Sequence, residues 1–202
     1  MATVAASVLL TPGPPDVDLM QEHGILKRVL LIYQECIERI TAMQPPPLAA
    51  VHDGAEIIHD FIEGFHEPLE EGYVFPRLQK PGQLKGTVDT LLVQHAKGRE
   101  LTQSILAASK TGSQSTSSLA PAMTAFVRMY QPHEAREDTV VFPAFRANVT
   151  SDELARLART FLTLQRQQFG PNGFSDYVAK VAEIEQSLGI YELSQFTPTT
   201  IP

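Results

Sequence analysis

An eleven-residue segment occurs twice in the chain, and this repeat constrains the fold more than any other feature. Residues 66–76 (HEPLEEGYVFP) align without gaps to residues 133–143 (HEAREDTVVFP). Each copy begins with His-x-x-x-Glu and ends with Phe-Pro. Residues four apart on an α-helix lie on the same face, so each copy can direct an imidazole and a carboxylate to one place. The repeat therefore predicts two helices that each present a metal-binding face.

A single histidine precedes each copy of the repeat on a stretch with helical periodicity. His23 comes before the first copy and His95 before the second. A lone histidine on an apolar stripe is most often a hydrogen-bonded core residue. The position of each histidine before a repeat favours a ligand instead, because it produces the order His, His-x-x-x-Glu twice along the chain.

The spacing of apolar residues predicts an all-α fold, since no stretch alternates with a period of two residues. Pro68 and Pro132 should kink the second and fourth helices, and Ser117 or Ser118 should cap the fourth. Phe75-Pro76 and Phe142-Pro143 are expected to close one end of the bundle. The predicted helices cover residues 16–43, 48–76, 84–109, 117–148, 151–169 and 174–188.

Short connections between the first four helices favour antiparallel neighbours, so we expect an up-down-up-down four-helix bundle with extra C-terminal helices. The expected organisation is a flexible N-terminal segment over residues 1–15, the bundle over 16–148 and a helical extension packed on it over 149–202. The extension is interpreted as a cover for the bundle, a lid over its site, or a surface for a homodimer.

The four inward helix faces would bring four imidazoles and two carboxylates together on the bundle axis, where metal sites are commonly built. Cys36 is the only cysteine, which excludes an intrachain disulfide, a cysteine-rich zinc site and a thiolate-held iron–sulfur cluster. Imidazole and carboxylate ligands suit iron, manganese or zinc, and two bridging carboxylates favour two ions. The predicted ligands are His23, His66, Glu70, His95, His133 and Glu137.

Several residues beside these ligands allow more than one interpretation. Glu71 and Asp138, five residues after their histidines, either bind metal or orient the imidazoles. Tyr130 lies three residues before His133 and is interpreted as a ligand or a hydrogen-bond partner. His52 and His59 fall outside the pattern. Although His59 should share the face of His66, it would lie about 10 Å away along the axis.

Charge and hydropathy exclude some partners. The formal net charge is −7 at pH 7, the wrong sign for a protein that neutralises nucleic acid or anionic lipid. No apolar run approaches the roughly 18 residues of a membrane span. The first residues lack the basic region of a secretory signal, so we expect a cytoplasmic protein, unless an export signal was removed.

Over residues 16–146, the sequence resembles the hemerythrin-like family of HHE cation-binding domains. The resemblance rests on Glu22-His23, on both His-x-x-x-Glu-Glu/Asp-x-x-x-Phe-Pro segments and on Gln94-His95. It implies a left-handed four-helix bundle with the ligand set above around a non-haem di-iron centre. Two iron ions with an oxo or hydroxo bridge are the implied cofactor, and zinc or manganese is the alternative.

The resemblance further implies a protein that binds, senses or reduces a small oxidant: dioxygen, hydrogen peroxide or nitric oxide. As an enzyme it would be a di-iron oxidoreductase of the peroxidase or oxidase type. The alternative is an iron-binding or redox sensor module without turnover.

One position departs from the oxygen-carrying hemerythrins, which have a second histidine four residues after the one on the third helix. Arg99 occupies that position here, and a guanidinium stays protonated and cannot bind metal. The more open site that results favours redox turnover or sensing over oxygen carriage.

Overall fold

The computed structural model describes residues 13–80, 82–110 and 117–200, and no strand occurs among them. Residues 1–12, most of the predicted N-terminal segment, lie outside these ranges. The first bundle helix is α1 (Pro15–Thr41) and the third is α5 (Lys85–Ser109). The second contains α2 (Leu48–Ile57), α3 (Glu67–Leu69) and α4 (Phe75–Gln79), and the fourth contains α6 (Leu119–Arg136) and α7 (Phe142–Asn148).

The all-α bundle is confirmed. Helix α1 packs against α2 and α6, and α5 packs against the same two helices, so the four helices form a closed ring. The apolar faces meet inside this ring, where Leu30, Phe126 and Phe145 are buried. Ser118 is the N-cap residue of α6, as predicted, but its side chain makes no capping hydrogen bond.

Three π-helical segments interrupt the second and fourth bundle helices, and each is followed by one residue and then a proline. The segments are Ile58–His66 before Glu67-Pro68, Glu70–Val74 before Phe75-Pro76, and Glu137–Val141 before Phe142-Pro143. The amides of Glu67, Phe75 and Phe142 each donate to the carbonyl five residues earlier. Since proline has no N–H to donate, a wider turn at this point accommodates its missing hydrogen bond.

The two prolines differ in their effect on the helix. Pro68 does break the regular α-helix, as expected, and adjoins a π-helical segment. Pro132 lies inside α6, which continues through it from Leu119 to Arg136, and the kink at this residue stays a prediction.

Two further helices, α8 (Ser151–Phe169) and α9 (Gly173–Leu188), lie on the outside of the bundle, and a short 3₁₀ helix (Leu193–Phe196) follows. Helix α9 packs on α1 and α2, where Arg28 Nε donates to Glu185 Oε1 at 2.9 Å. Gln168 Nε2 in α8 donates to the carbonyl of Gly64 at 3.1 Å. In a regular α-helix this carbonyl would accept a hydrogen bond from the N–H of residue 68, but proline has no N–H. Gln168, in the C-terminal extension, supplies the missing donor.

None of the helices within residues 13–80, 82–110 and 117–200 is both long enough and apolar enough to cross a membrane.

At Gly98, the backbone of α5 lies against the side chain of Tyr130 in α6. A Cβ atom added at Gly98 would lie 2.0 Å from the hydroxyl oxygen of Tyr130. Gly86, on the same helix, has no atom within 4 Å of such a Cβ. These two positions therefore separate steric exclusion from helix propensity.

We predict that Gly98→Ala lowers the free energy of unfolding by about 1–3 kcal/mol, because Tyr130 must move to admit the methyl group. Gly86→Ala should leave it unchanged or raise it by up to about 1 kcal/mol, since alanine favours a helix over glycine. Urea unfolding of both variants measures the difference, and equal stability of the two would contradict the close approach.

Candidate metal centre

The six predicted ligands converge from all four bundle helices into one buried cluster. Each is at most 3% exposed. They form two groups of three, and in each group one candidate ligand atom from every residue lies within 4.8 Å of the others. The first group is His23, His66 and Glu70, and the second is His95, His133 and Glu137.

Both glutamates extend from one group to the other. Glu70 Oε1 lies 3.5 Å from His66 Nε2, and Glu70 Oε2 lies 3.4 Å from His95 Nε2. Glu137 Oε2 lies 3.4 Å from His23 Nε2 and 3.1 Å from His133 Nε2. Each carboxylate therefore faces one imidazole nitrogen in each group.

Hydrogen bonds on the outer side of each ring set the orientation of the imidazoles. Carboxylate and amide oxygens only accept hydrogen bonds, so each Nδ1 carries a proton and each Nε2 faces the centre. The Nδ1 pairs are His23 with Asp138 Oδ1 at 2.7 Å, His66 with Glu22 Oε2 at 2.8 Å, His95 with Glu71 Oε1 at 2.9 Å and His133 with Gln94 Oε1 at 2.9 Å. Of the two interpretations given for Glu71 and Asp138, these contacts favour orientation of the imidazoles.

Two phenylalanines from the repeat cover the cluster. The ring of Phe75 stacks on His95 with centroids 5.7 Å apart, and the ring of Phe142 stacks on His23 at 5.5 Å. The sequence prediction gave these residues a packing role at the bundle end and missed this contact. Both rings limit the access of water to the imidazoles.

The glutamates at the centre are buried without hydrogen-bond donors. In the described residues, no group donates a hydrogen bond to either oxygen of Glu70 or Glu137, and His95 Nε2 likewise has no partner. A buried, unpaired carboxylate is strongly disfavoured. A cation between the inward nitrogens and these oxygens would satisfy both, so the donor set fits a metal that prefers nitrogen and oxygen ligands.

Protons compensate for the same charges when no cation is bound. Burial alone would lower the pKa of His23, but the hydrogen bond with Asp138 and the nearby carboxylate of Glu137 outweigh burial and raise the pKa to about 9. The pKa of Glu137 is lowered despite its burial, because His133 and His23 face it. Metal binding at this cluster therefore competes with protons.

The geometry agrees with the comparison to known proteins. The family model described as the hemerythrin HHE cation binding domain matches residues 15–145. The chain belongs to this family. The family is a cation-binding one, and the His/Glu cluster lies within the matched residues.

Three curated relatives carry the name uncharacterized protein. They are the proteins Rv1995 and MT2051 of Mycobacterium tuberculosis and Mb2018 of Mycobacterium bovis. Each is 49% identical over 186 residues, which cover 90% of this chain and 73% of the relative. No solved structure matches the chain.

The sequence prediction missed the role of the basic residues that follow His23 and His95 by four positions. Arg99 Nη2 lies 2.6 Å from Glu67 Oε2, and Lys27 Nζ lies 3.0 Å from Glu134 Oε1. Glu67 and Glu134 are buried, and each directly follows the histidine that begins a copy of the repeat. The sequence offered a signal for both ion pairs. A basic residue follows His23 and His95 at a spacing of four, and a glutamate directly follows His66 and His133.

A third group, Glu67, Glu71 and His95, also has the spacing of a metal site. Arg99 Nη2 lies 2.6 Å from a carboxylate oxygen of both glutamates. The guanidinium therefore already supplies the positive charge that a cation would bring there.

The polar atoms of the remaining candidates contact other partners. Tyr130 Oη donates to Glu67 Oε1 at 2.7 Å, and burial together with Glu67 raises the pKa of the tyrosine well above its usual value. His52 Nδ1 lies 3.1 Å from Ser109 Oγ. His59 is 49% exposed and contacts Asp60, so the prediction that it shares the face of His66 was wrong. The π-helical turn between them changes the angular spacing of the two residues.

Glu63 lies one turn before Glu67 and is 8% exposed, and among the described residues its Oε1 atom has no hydrogen-bond partner. Burial raises the pKa of Glu63 to about 7. The unfolded chain releases this proton near pH 4.5, so the folded protein binds more protons between about pH 4.5 and 7. Its stability therefore falls as the pH rises through this window.

We predict that Glu63→Gln removes this loss. In metal-free protein at pH 8, the variant should be more stable than the wild type by about 3 kcal/mol, whereas near pH 4.5 the two should be similar. Denaturant unfolding at both pH values measures the effect. A constant difference at the two pH values would contradict the assigned titration.

Proposed function

We propose that this chain holds a dinuclear non-haem iron centre at the His/Glu cluster. The first ion would be bound by His23 and His66 and the second by His95 and His133, with Glu70 and Glu137 shared between them. The observation that carries the proposal is a pair of buried carboxylates that no described residue supplies with a hydrogen-bond donor. Each of them faces imidazole nitrogens of both groups. Zinc or manganese is the alternative for the same donor set.

The protein's own residues would prepare the centre for its metals. The four outer acceptors hold each ring with its Nε2 inward, which also raises the basicity of the imidazole. The negative charges of Glu70 and Glu137 offset the repulsion between two neighbouring cations. Phe75 and Phe142 cover His95 and His23 and exclude water from one side of each ring.

When bound, two iron ions supply one-electron redox chemistry toward a small oxidant such as dioxygen, hydrogen peroxide or nitric oxide. Two imidazoles and two shared carboxylates leave coordination positions free for such a molecule. Arg99 supports turnover or sensing over oxygen carriage, because it stands where a further imidazole would be and instead pairs with Glu67 and Glu71.

A second candidate function is a sensor that responds to iron without turnover. Its support is again the pair of unpaired carboxylates on the bundle axis, because they disfavour the metal-free fold. Loss of metal would then loosen the helices that carry the ligands.

Metal analysis of protein prepared with iron tests the proposal. The wild type should contain about two irons per chain, and His66→Ala and His133→Ala should each lose at least one, because each removes an inward nitrogen. His59→Ala is the matched control, since His59 is exposed and contacts Asp60. Stoichiometric zinc, or no metal in the wild type, would contradict a di-iron centre.

Peroxide consumption by the same four proteins distinguishes the enzyme from the sensor. Consumption that is present in the wild type and His59→Ala but lost in His66→Ala and His133→Ala supports an enzyme. Iron binding without consumption, accompanied by a lower melting temperature on iron removal, supports the sensor.

A separate prediction concerns Tyr130, which the sequence left as a ligand or a hydrogen-bond partner. Its hydroxyl donates to Glu67, so Tyr130→Phe should leave the iron content and the visible absorption spectrum unchanged. Loss of a phenolate-to-iron absorption band in this variant would instead show that the tyrosine binds metal.

A further inference from the structure

The two halves of the centre are related by the internal repeat, yet their outer hydrogen-bond partners differ in charge. In the first half, His23 donates to Asp138 and His66 donates to Glu22. In the second half, His95 donates to Glu71, but His133 donates to the neutral amide oxygen of Gln94. Glu22 and Gln94 occupy equivalent positions, because Glu22 directly precedes His23 and Gln94 directly precedes His95.

Glu71 is also a weaker negative partner than its equivalent, Asp138. Arg99 Nη2 lies 2.6 Å from the same Glu71 oxygen that accepts from His95. The guanidinium therefore offsets much of the carboxylate charge. Lys27, the equivalent of Arg99, contacts Glu134 instead.

Further charges increase this difference. Asp18 lies one helical turn before Glu22 on α1, and burial together with Glu22 and Asp16 raises the pKa of Asp18 to about 6. On the other half, Thr90 holds the position equivalent to Asp18, 72 residues further along the chain. Thr90, Gln94, His133 and the exposed Arg136 line a surface cavity of about 310 Å³.

We propose that the two metal positions are unequal: the His23–His66 position binds its cation tightly, and the His95–His133 position binds more weakly and exchanges its cation through this cavity. The inference rests on the proposed dinuclear centre. Its physical reason is that a carboxylate behind an imidazole strengthens the metal bond more than an amide does. Changes to such outer partners typically alter metal affinity 10–100-fold.

Titration of the metal-free protein with Co²⁺, followed by visible absorption, tests the proposal without an activity assay. The wild type should bind two ions in two steps that differ at least about tenfold in affinity. Gln94→Glu should strengthen the second step about tenfold, and Glu22→Gln should weaken the first by a similar factor. Gln103→Glu is the control for added charge, because Gln103 is exposed on the same helix.

Single-site variants identify which position fills first. His133→Ala should retain the tight step and His66→Ala only the weak one, with circular dichroism used to verify that both are folded. Two equal steps in the wild type, or a tighter remaining site in His66→Ala, would overturn the inequality while leaving the dinuclear centre intact. Failure of the wild type to bind two ions would instead overturn the proposed function.

Discussion

Glu70 and Glu137 place two fully buried carboxylates inside the bundle, each facing imidazole nitrogens from both halves of the centre. Much of the surrounding structure offsets the free-energy cost of burying these two charges. Outer acceptors orient the four rings, and Arg99 and Lys27 neutralise the buried glutamates beside them. Without a cation, the carboxylates depend on protonated imidazoles; in the proposed dinuclear centre, they would be shared between two cations.

The backbone around the centre is adapted to the same requirement. In each copy of the repeat, the π-helical segment begins at the central glutamate and ends just before Phe-Pro. The wider turn lets the phenylalanine reach back over an imidazole from another helix. The C-terminal helices contribute to this region as well, since Gln168 satisfies the carbonyl that Pro68 leaves free.

The inward cluster was predictable because four-residue spacing on a helix depends only on helix geometry. The spacing of His66 and Glu70 therefore predicted their shared direction, and the repeat extended this to His133 and Glu137. His59 was misplaced because π-helical turns change the angular spacing, and apolar periodicity does not reveal them. The contact of Gln168 with Gly64 joins residues 104 apart, so no local pattern could have indicated it.

The roles of Glu22 and Gln94 could be predicted from the sequence only in part. Both were visible beside the helix histidines, but only the structure shows that each accepts from a repeat histidine on another helix. The internal symmetry therefore conceals a difference in charge between two positions that look alike in the ligand pattern.

Anomalous X-ray diffraction from crystals of the iron-loaded protein tests the central claim most directly. The account predicts two iron peaks about 3.5–4 Å apart. One should lie beside His23 and His66, the other beside His95 and His133, with Glu70 and Glu137 between them. A single peak, or a peak held by Glu67 and Glu71 instead, would contradict it.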